Sequence, residues 1–124
     1  MTKMTGADIV VRALEDEGIA FSFGIPGTHN IELYDSFARS GKVRVILVTD
    51  EQSASFMADG VARSSGRLAA VNVVPGAGLT HALSGIAEAS WTACPCSFSL
   101  AVYAATWERR SSFTTWTNSR SRGR

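Results

Sequence analysis

Val43-Arg44-Val45-Ile46-Leu47-Val48-Thr49-Asp50-Glu51-Gln52-Ser53-Ala54-Ser55-Phe56-Met57-Ala58-Asp59-Gly60 decides the fold. The run from Val43 to Val48 is nearly all apolar, as expected of an interior parallel strand. Asp50 then caps a helix whose apolar positions include Ala54, Phe56, Met57, Val61 and Ala62. A strand whose C-terminal end meets a helix N-terminus is where open α/β sheets hold their ligands. Glu51 is the one strong acid beyond the cap on that junction.

The same unit repeats on either side. Thr5-Gly6-Ala7-Asp8 has capping-box spacing and opens a helix with Ile9, Val10, Ala13 and Leu14 inward, stopped at Gly18. Phe21 to Ile25 reads as a short strand ended by the Pro26-Gly27 turn. Thr28 or Asn30 caps the next helix, with Ile31, Tyr34, Phe37 and Ala38 as its stripe and Gly41 as its end. Leu68 to Val74 is a third strand, turned by Pro75-Gly76-Ala77-Gly78 into a helix holding Leu79, Ala82, Leu83, Ile86 and Ala87. One helix followed by three strand–helix units imposes parallel strands with right-handed crossovers. The expected fold class is α/β, a parallel flavodoxin-like sheet with flanking helices.

At 124 residues and a net charge of +1, composition allows one domain and points to no charged partner. The average conceals an asymmetry. Beyond Ala89 the only acid is Glu108, against Arg109, Arg110, Arg120, Arg122 and Arg124, and all the tryptophans and cysteines lie there too. Residues 90–124 sustain no helical or strand period and are expected to form an irregular basic tail behind an incomplete sheet. Cys94 and Cys96 lack the further ligands a zinc site needs. No apolar run approaches the roughly 20 residues of a membrane span, and early acids exclude a signal peptide, so a cytoplasmic location is expected.

The glycine turns at Gly24 to Gly27 and Pro75 to Gly78 match neither a Walker loop nor the Rossmann spacing. Glycine there either lets the chain reverse or lets backbone approach a flat ligand. On spacing alone Glu51 is better explained as a first-turn acid favoured by the helix dipole. His29 and His81 each follow a glycine turn, and neither has a second ligand at helical spacing, so no metal site is expected.

Taken in order, three motifs carry a resemblance. Phe23-Gly24-Ile25-Pro26-Gly27, Asp50-Glu51-Gln52 with Met57 to Arg63, and Gly76-Ala77-Gly78 running to Ala89 resemble the N-terminal pyrimidine-binding domain of thiamine-diphosphate enzymes, of the acetolactate synthase and benzoylformate decarboxylase type. The resemblance spans residues 5–89. It implies a lyase or transferase acting on 2-keto acids, with thiamine diphosphate as cofactor. Glu51 matches the glutamate that hydrogen-bonds the far pyrimidine nitrogen and promotes the imino tautomer, the catalytic role. Ile25, Pro26 and Gly27, with Gly76, Gly78 and His81, match positions lining the aminopyrimidine. The family's magnesium motif is absent from the sequence, so only the aminopyrimidine end of the cofactor is accounted for. Asp50, Ala77 and His81 stand where many members have histidine, proline and asparagine, which leaves acetolactate formation and decarboxylation both open.

The resemblance implies an apolar strand after Ala89, which the tail does not spell. Shifting the frame restores one. Reading from the third base of each codon, Trp91-Thr92 forces GAC, an aspartate, and the following codons permit Gly, Val, Pro, Val, Leu, Val and Leu. The expectation is a one-base loss near Ser90, a premature stop, and a chain inactive alone. A genuine disordered basic tail is the alternative. Such a chain either binds thiamine diphosphate as part of an enzyme or serves as a regulatory module, as a homo-oligomer or paired with a full-length homologue. Nucleic-acid binding by the arginines has no motif behind it.

Overall fold

The computed structural model describes residues 4–92, and the backbone of 99–103. The order is α1 (Gly6–Asp16), β1 (Phe21–Gly24), α2 (Ile31–Ser40), β2 (Arg44–Leu47), α3 (Glu51–Ser65), β3 (Ala69–Val73), α4 (Ala77–Trp91) and β4 (Ser99–Tyr103). The strands form one parallel sheet in the order β2-β1-β3-β4. The expected α/β class and parallel pairing are both present. β4 falls in the stretch that carries no period: Leu100 to Tyr103 is a short apolar run that periodicity cannot separate from loop. It covers the far edge of β3, which is buried along its whole length. The remaining tail residues, 93–98 and 104–124, lie outside the described residues.

Helices cover both faces. One core joins Val11 and Leu14 of α1 to Leu33 and Phe37 of α2, with Ile19, Val43 and Ala70. The other joins Phe23, Ala69, Val71 and Val73 of the sheet to Ala54 and Ala58 of α3 and Ala82 of α4. Strand alternation therefore splits β3: Ala70 serves the first face, whereas Ala69, Val71 and Val73 serve the second.

The first pair of helices is tied by polar contacts. Thr5 and Asp8 exchange both bonds of a capping box. Asp8 also accepts from Ser36 Oγ (2.8 Å) and pairs with Arg39 (2.6 Å), both on α2. That Arg39 bond, with the Thr5 and Ser36 bonds behind it, holds the Asp8 carboxyl well below the usual carboxylate range.

The second pair packs through small residues. α3 buries Ala54, Ser55, Ala58, Asp59 and Ala62, and α4 buries Gly78, Ala82, Gly85 and Ala89. A Cβ at Gly85 would overlap Ser55 and lie 2.9 Å from the Phe56 backbone nitrogen. Of the larger side chains, Val61, Leu79 and Ile86 still pack against the second core. Phe56, Met57 and Leu83, apolar positions of the helical pattern, are exposed. Periodicity found the helices but could not separate a stripe of alanine and glycine from the apolar residues beside it. At the far end Arg63 donates to Asp59 (2.6 Å) and to Thr92 Oγ1 (2.8 Å), bracing α3 against the end of α4.

Candidate functional site

Parallel strands bring all their C-terminal ends to one edge, and β1 lies between β2 and β3. The turn after β1 is therefore flanked by the start of α3 on one side and the start of α4 on the other. These three segments carry every site residue expected from the sequence.

Asp50 caps α3, accepting from the Ser53 backbone N–H (2.8 Å) and Ser53 Oγ (3.1 Å). The backbone bond chiefly lowers its carboxyl from the ordinary value. Glu51 is the first helical residue, and its side chain is only 16% exposed. Its carboxylate is not a cap. It turns toward α4, where a Cβ at Gly78 would stand 3.2 Å from Glu51 Oε1. His81, one turn further along α4 and 66% exposed, places Nδ1 3.5 Å from Glu51 Oε2, an ion pair when the imidazole is protonated. Asp50, Glu51 and His81 each offer a ligand atom, all within 4.8 Å of one another. A search for helical spacing misses that triad because its members sit on two elements thirty residues apart.

The second glycine turn earns its composition at two positions. Gly76, the residue before α4, has a φ of 78°, which disfavours any side chain. Gly78 has no room for one, since a Cβ would lie 2.9 Å from Val74 Cγ2. The first turn meets the same valine, because a Cβ at Gly27 would approach Val74 Cγ1 to 2.5 Å. Val74 thus joins the two turns. Glu51, Gly78 and His81 come together directly, Gly76 stands two residues before Gly78 at the start of α4, and Ile25, Pro26 and Gly27 join them through Gly27 and Val74.

Asn30 behaves differently from the expected cap. It is the residue before α2, but its side chain makes no capping bond. Instead Oδ1 accepts from the Gly27 N–H (2.7 Å), while Nδ2 donates to the Ile25 carbonyl (3.1 Å) and to Asn72 Oδ1 (3.1 Å). Asn30 and Asn72 are both fully buried. A lone asparagine inside the apolar strand Leu68 to Val74 was the available signal.

Comparison with known proteins fits this edge. Residues 4–112 match the model of the thiamine pyrophosphate enzyme N-terminal TPP-binding domain. The match runs past Ala89, where the motif resemblance stops. The acetolactate synthase large subunit of Haemophilus influenzae is 43% identical over 95 residues, covering 77% of this chain and 17% of that protein. The isozyme 3 large subunit of Escherichia coli is 41% identical over 95 residues, with the same coverage. A probable 2-ketoarginine decarboxylase of Pseudomonas aeruginosa is 42% identical over 86 residues, 69% of this chain and 15% of that protein. The chain spans about a sixth of the length of these relatives. With Glu51 set against a glycine turn at the carboxyl edge of a parallel sheet, and residues 4–112 of the 124 matched by the family model, this chain belongs to the thiamine pyrophosphate enzyme family, in its N-terminal TPP-binding domain.

Proposed function

We propose that this chain holds the aminopyrimidine end of thiamine diphosphate for a 2-keto acid enzyme of acetolactate synthase or 2-keto acid decarboxylase type. The observation that carries the reading is the Glu51 carboxylate, largely shielded and turned toward Gly78 rather than spent as a helix cap. A carboxylate there accepts a hydrogen bond from a ring nitrogen, and glycine opposite leaves a flat face for the ring. The residues fit that end of the cofactor. When bound, the cofactor supplies the carbanion-stabilising chemistry that no side chain offers.

The chain's own residues divide the remaining work. Glu51 orients the ring and holds the proton balance at its far nitrogen. Backbone at Ile25, Pro26 and Gly27 lines one side, and Gly76 and Gly78 line the other. His81 adjoins Glu51, and ligand entry displaces its weak contact. Diphosphate and magnesium are held by another domain or another chain, so the domain is inactive alone. Exposed Phe56, Met57 and Leu83, on the helices that begin at the site, favour a partner there. That partner is a second copy or a full-length homologue, and a regulatory pairing uses the same surface.

Calorimetric titration with thiamine diphosphate and magnesium tests the reading. Binding is expected in the wild type and is weakened roughly ten- to hundredfold in Glu51→Gln, the range for losing a charge-assisted hydrogen bond. Equal binding by both proteins would refute the role of Glu51. No binding by the wild type, even with a full-length homologue present, would refute the reading as a whole.

A further inference from the structure

The polar core beneath the first glycine turn is unfavourable if folding is its only purpose. The other residues of β3 are all apolar and buried, yet Asn72 is buried among them with Nδ2 unpartnered. A buried amide with an unmade bond destabilises, and an apolar side chain would avoid that loss. What Asn72 does contribute is one acceptor, and the donor it receives is Asn30 Nδ2. Asn30 in turn takes both polar backbone groups that bracket Pro26: the Ile25 carbonyl and the Gly27 N–H. Those groups are spent inward. Pro26 itself has no N–H to place. The Gly27 carbonyl is also engaged, accepting from the Asn30 backbone N–H at 3.2 Å.

We propose that Asn30 is a positioning residue for the ligand-lining backbone of residues 25–27, and that Asn72 is its brace. The inference deepens the function proposed above and rests on it for the identity of the ligand. Asn30 touches no ligand. It fixes the turn so that Gly27 stays seated on Val74, in register with Gly78. A side chain bonded at three points holds one rotamer, and the fully buried brace keeps it from rotating away. Capping does not explain the residue, because its side chain leaves the α2 amides alone.

The test uses the full 124-residue chain. In the wild type, nuclear magnetic resonance should detect through-bond scalar coupling between the Gly27 nitrogen and the Asn30 side-chain carbonyl carbon. Its absence, with the signals assigned, overturns the clamp. Amide exchange at Gly27 is then compared with Val71 in the same molecule, so that overall stability cancels. Asn30→Ala is expected to speed Gly27 by at least about tenfold relative to Val71, and Asn72→Ala by a few-fold. If Asn30→Ala does not fold, Asn72→Ala and the wild-type coupling decide. Gly27 and Val71 rising in parallel would mean a merely structural pair, and would overturn the proposal. In thiamine diphosphate titrations Asn72→Ala should bind a few-fold more weakly, and unchanged affinity overturns the link to ligand. A wild type that shows the coupling but binds nothing refutes the proposed function and leaves the clamp standing.

Discussion

Glu51 and Gly78 face each other across the start of two helices, so closely that a Cβ on Gly78 would sit 3.2 Å from Glu51 Oε1. The same Cβ would lie 2.9 Å from Val74 Cγ2 and 3.5 Å from Val73 Cβ. Gly78→Ala therefore sets two effects against each other. Alanine gains up to about 1 kcal/mol in helix propensity, but crowding a packed site costs about 1–3 kcal/mol. Crowding wins because Val74 is held by both turns, and the melting temperature should fall by a few degrees. Thiamine diphosphate affinity should fall further than stability, because the carboxylate is pushed from its place. Calorimetry and thermal melts on the one variant separate the two.

Gly85 and Gly60 offer a contrast within the second helix pair. A Cβ at Gly85 would overlap Ser55 Oγ and lie 2.8 Å from Ser55 Cβ, whereas nothing lies within 4 Å of a Cβ at Gly60. Gly85→Ala should destabilise by about 1–3 kcal/mol. Adding Ser55→Gly should recover part of the loss, since it removes the obstructing atoms. Gly60→Ala, in the interior of α3, should instead stabilise by about 0.5–1 kcal/mol. Urea denaturation gives all the values. An unaffected Gly85→Ala would contradict the small-residue packing of α3 on α4.

Those two glycines also mark how far the sequence was legible. Strand–helix alternation, the Asp50 cap, the Thr5–Asp8 capping box and the Gly41 stop are local devices, and local spacing reveals them. The burial of Ala54 and Ala58 in place of Phe56 and Met57 depends on how near α4 can come, which no single helix encodes. Glu51 could be placed at the junction from sequence, but whether its carboxylate caps or faces a neighbour depends on Gly78, twenty-seven residues away. Asn30 was legible as a residue preceding α2 and illegible as a clamp, because its partner Asn72 lies forty-two residues away on β3.

Asp8 sets an acid limit on the first helix pair. Its carboxyl is depressed in the folded state, so the stability it contributes is present above the unfolded carboxylate pKa of about 3.9. That contribution is lost as pH falls through the folded value, which lies well below. Stability should therefore decline progressively below about pH 4, through loss of the Arg39, Thr5 and Ser36 bonds. Asp8→Asn should be less stable than wild type near about pH 7 and should decline less steeply on acidification. Parallel acid limbs in denaturant-melt series would show that Asp8 is not the group responsible.

The tail makes a prediction at the level of nucleotides. If a lost base near codon 90 put residues 90–124 out of frame, the free bases cannot be arbitrary. Val in the third shifted codon requires the Ala93 codon to end in G, and Pro in the next requires the Cys94 codon to end in C. Sequencing the gene reads both directly. Other bases at those two positions would remove the shifted reading Asp-Gly-Val-Pro and leave a genuine tail, whereas both matches would extend the apolar run where the family resemblance needs it.

Phe56 and Met57 of α3 and Leu83 of α4 make the last prediction. All three are exposed, on the two helices whose N-terminal ends carry Glu51 and Gly78. At Gly85 and Ser55 the two helices meet through small residues, and Phe56, Met57 and Leu83 stay outside the packed core. Large apolar groups on adjacent surfaces favour association by roughly 25 cal/mol for each Å² removed from water. The chain should therefore self-associate, and analytical ultracentrifugation should record a mass that rises with concentration. Replacing Phe56, Met57 and Leu83 together by serine should shift the chain toward monomer without lowering its melting temperature, because none of the three contributes to either core. A triple variant with unchanged mass would place the association elsewhere, and a monomeric wild type at high concentration would end the argument for a partner on this face.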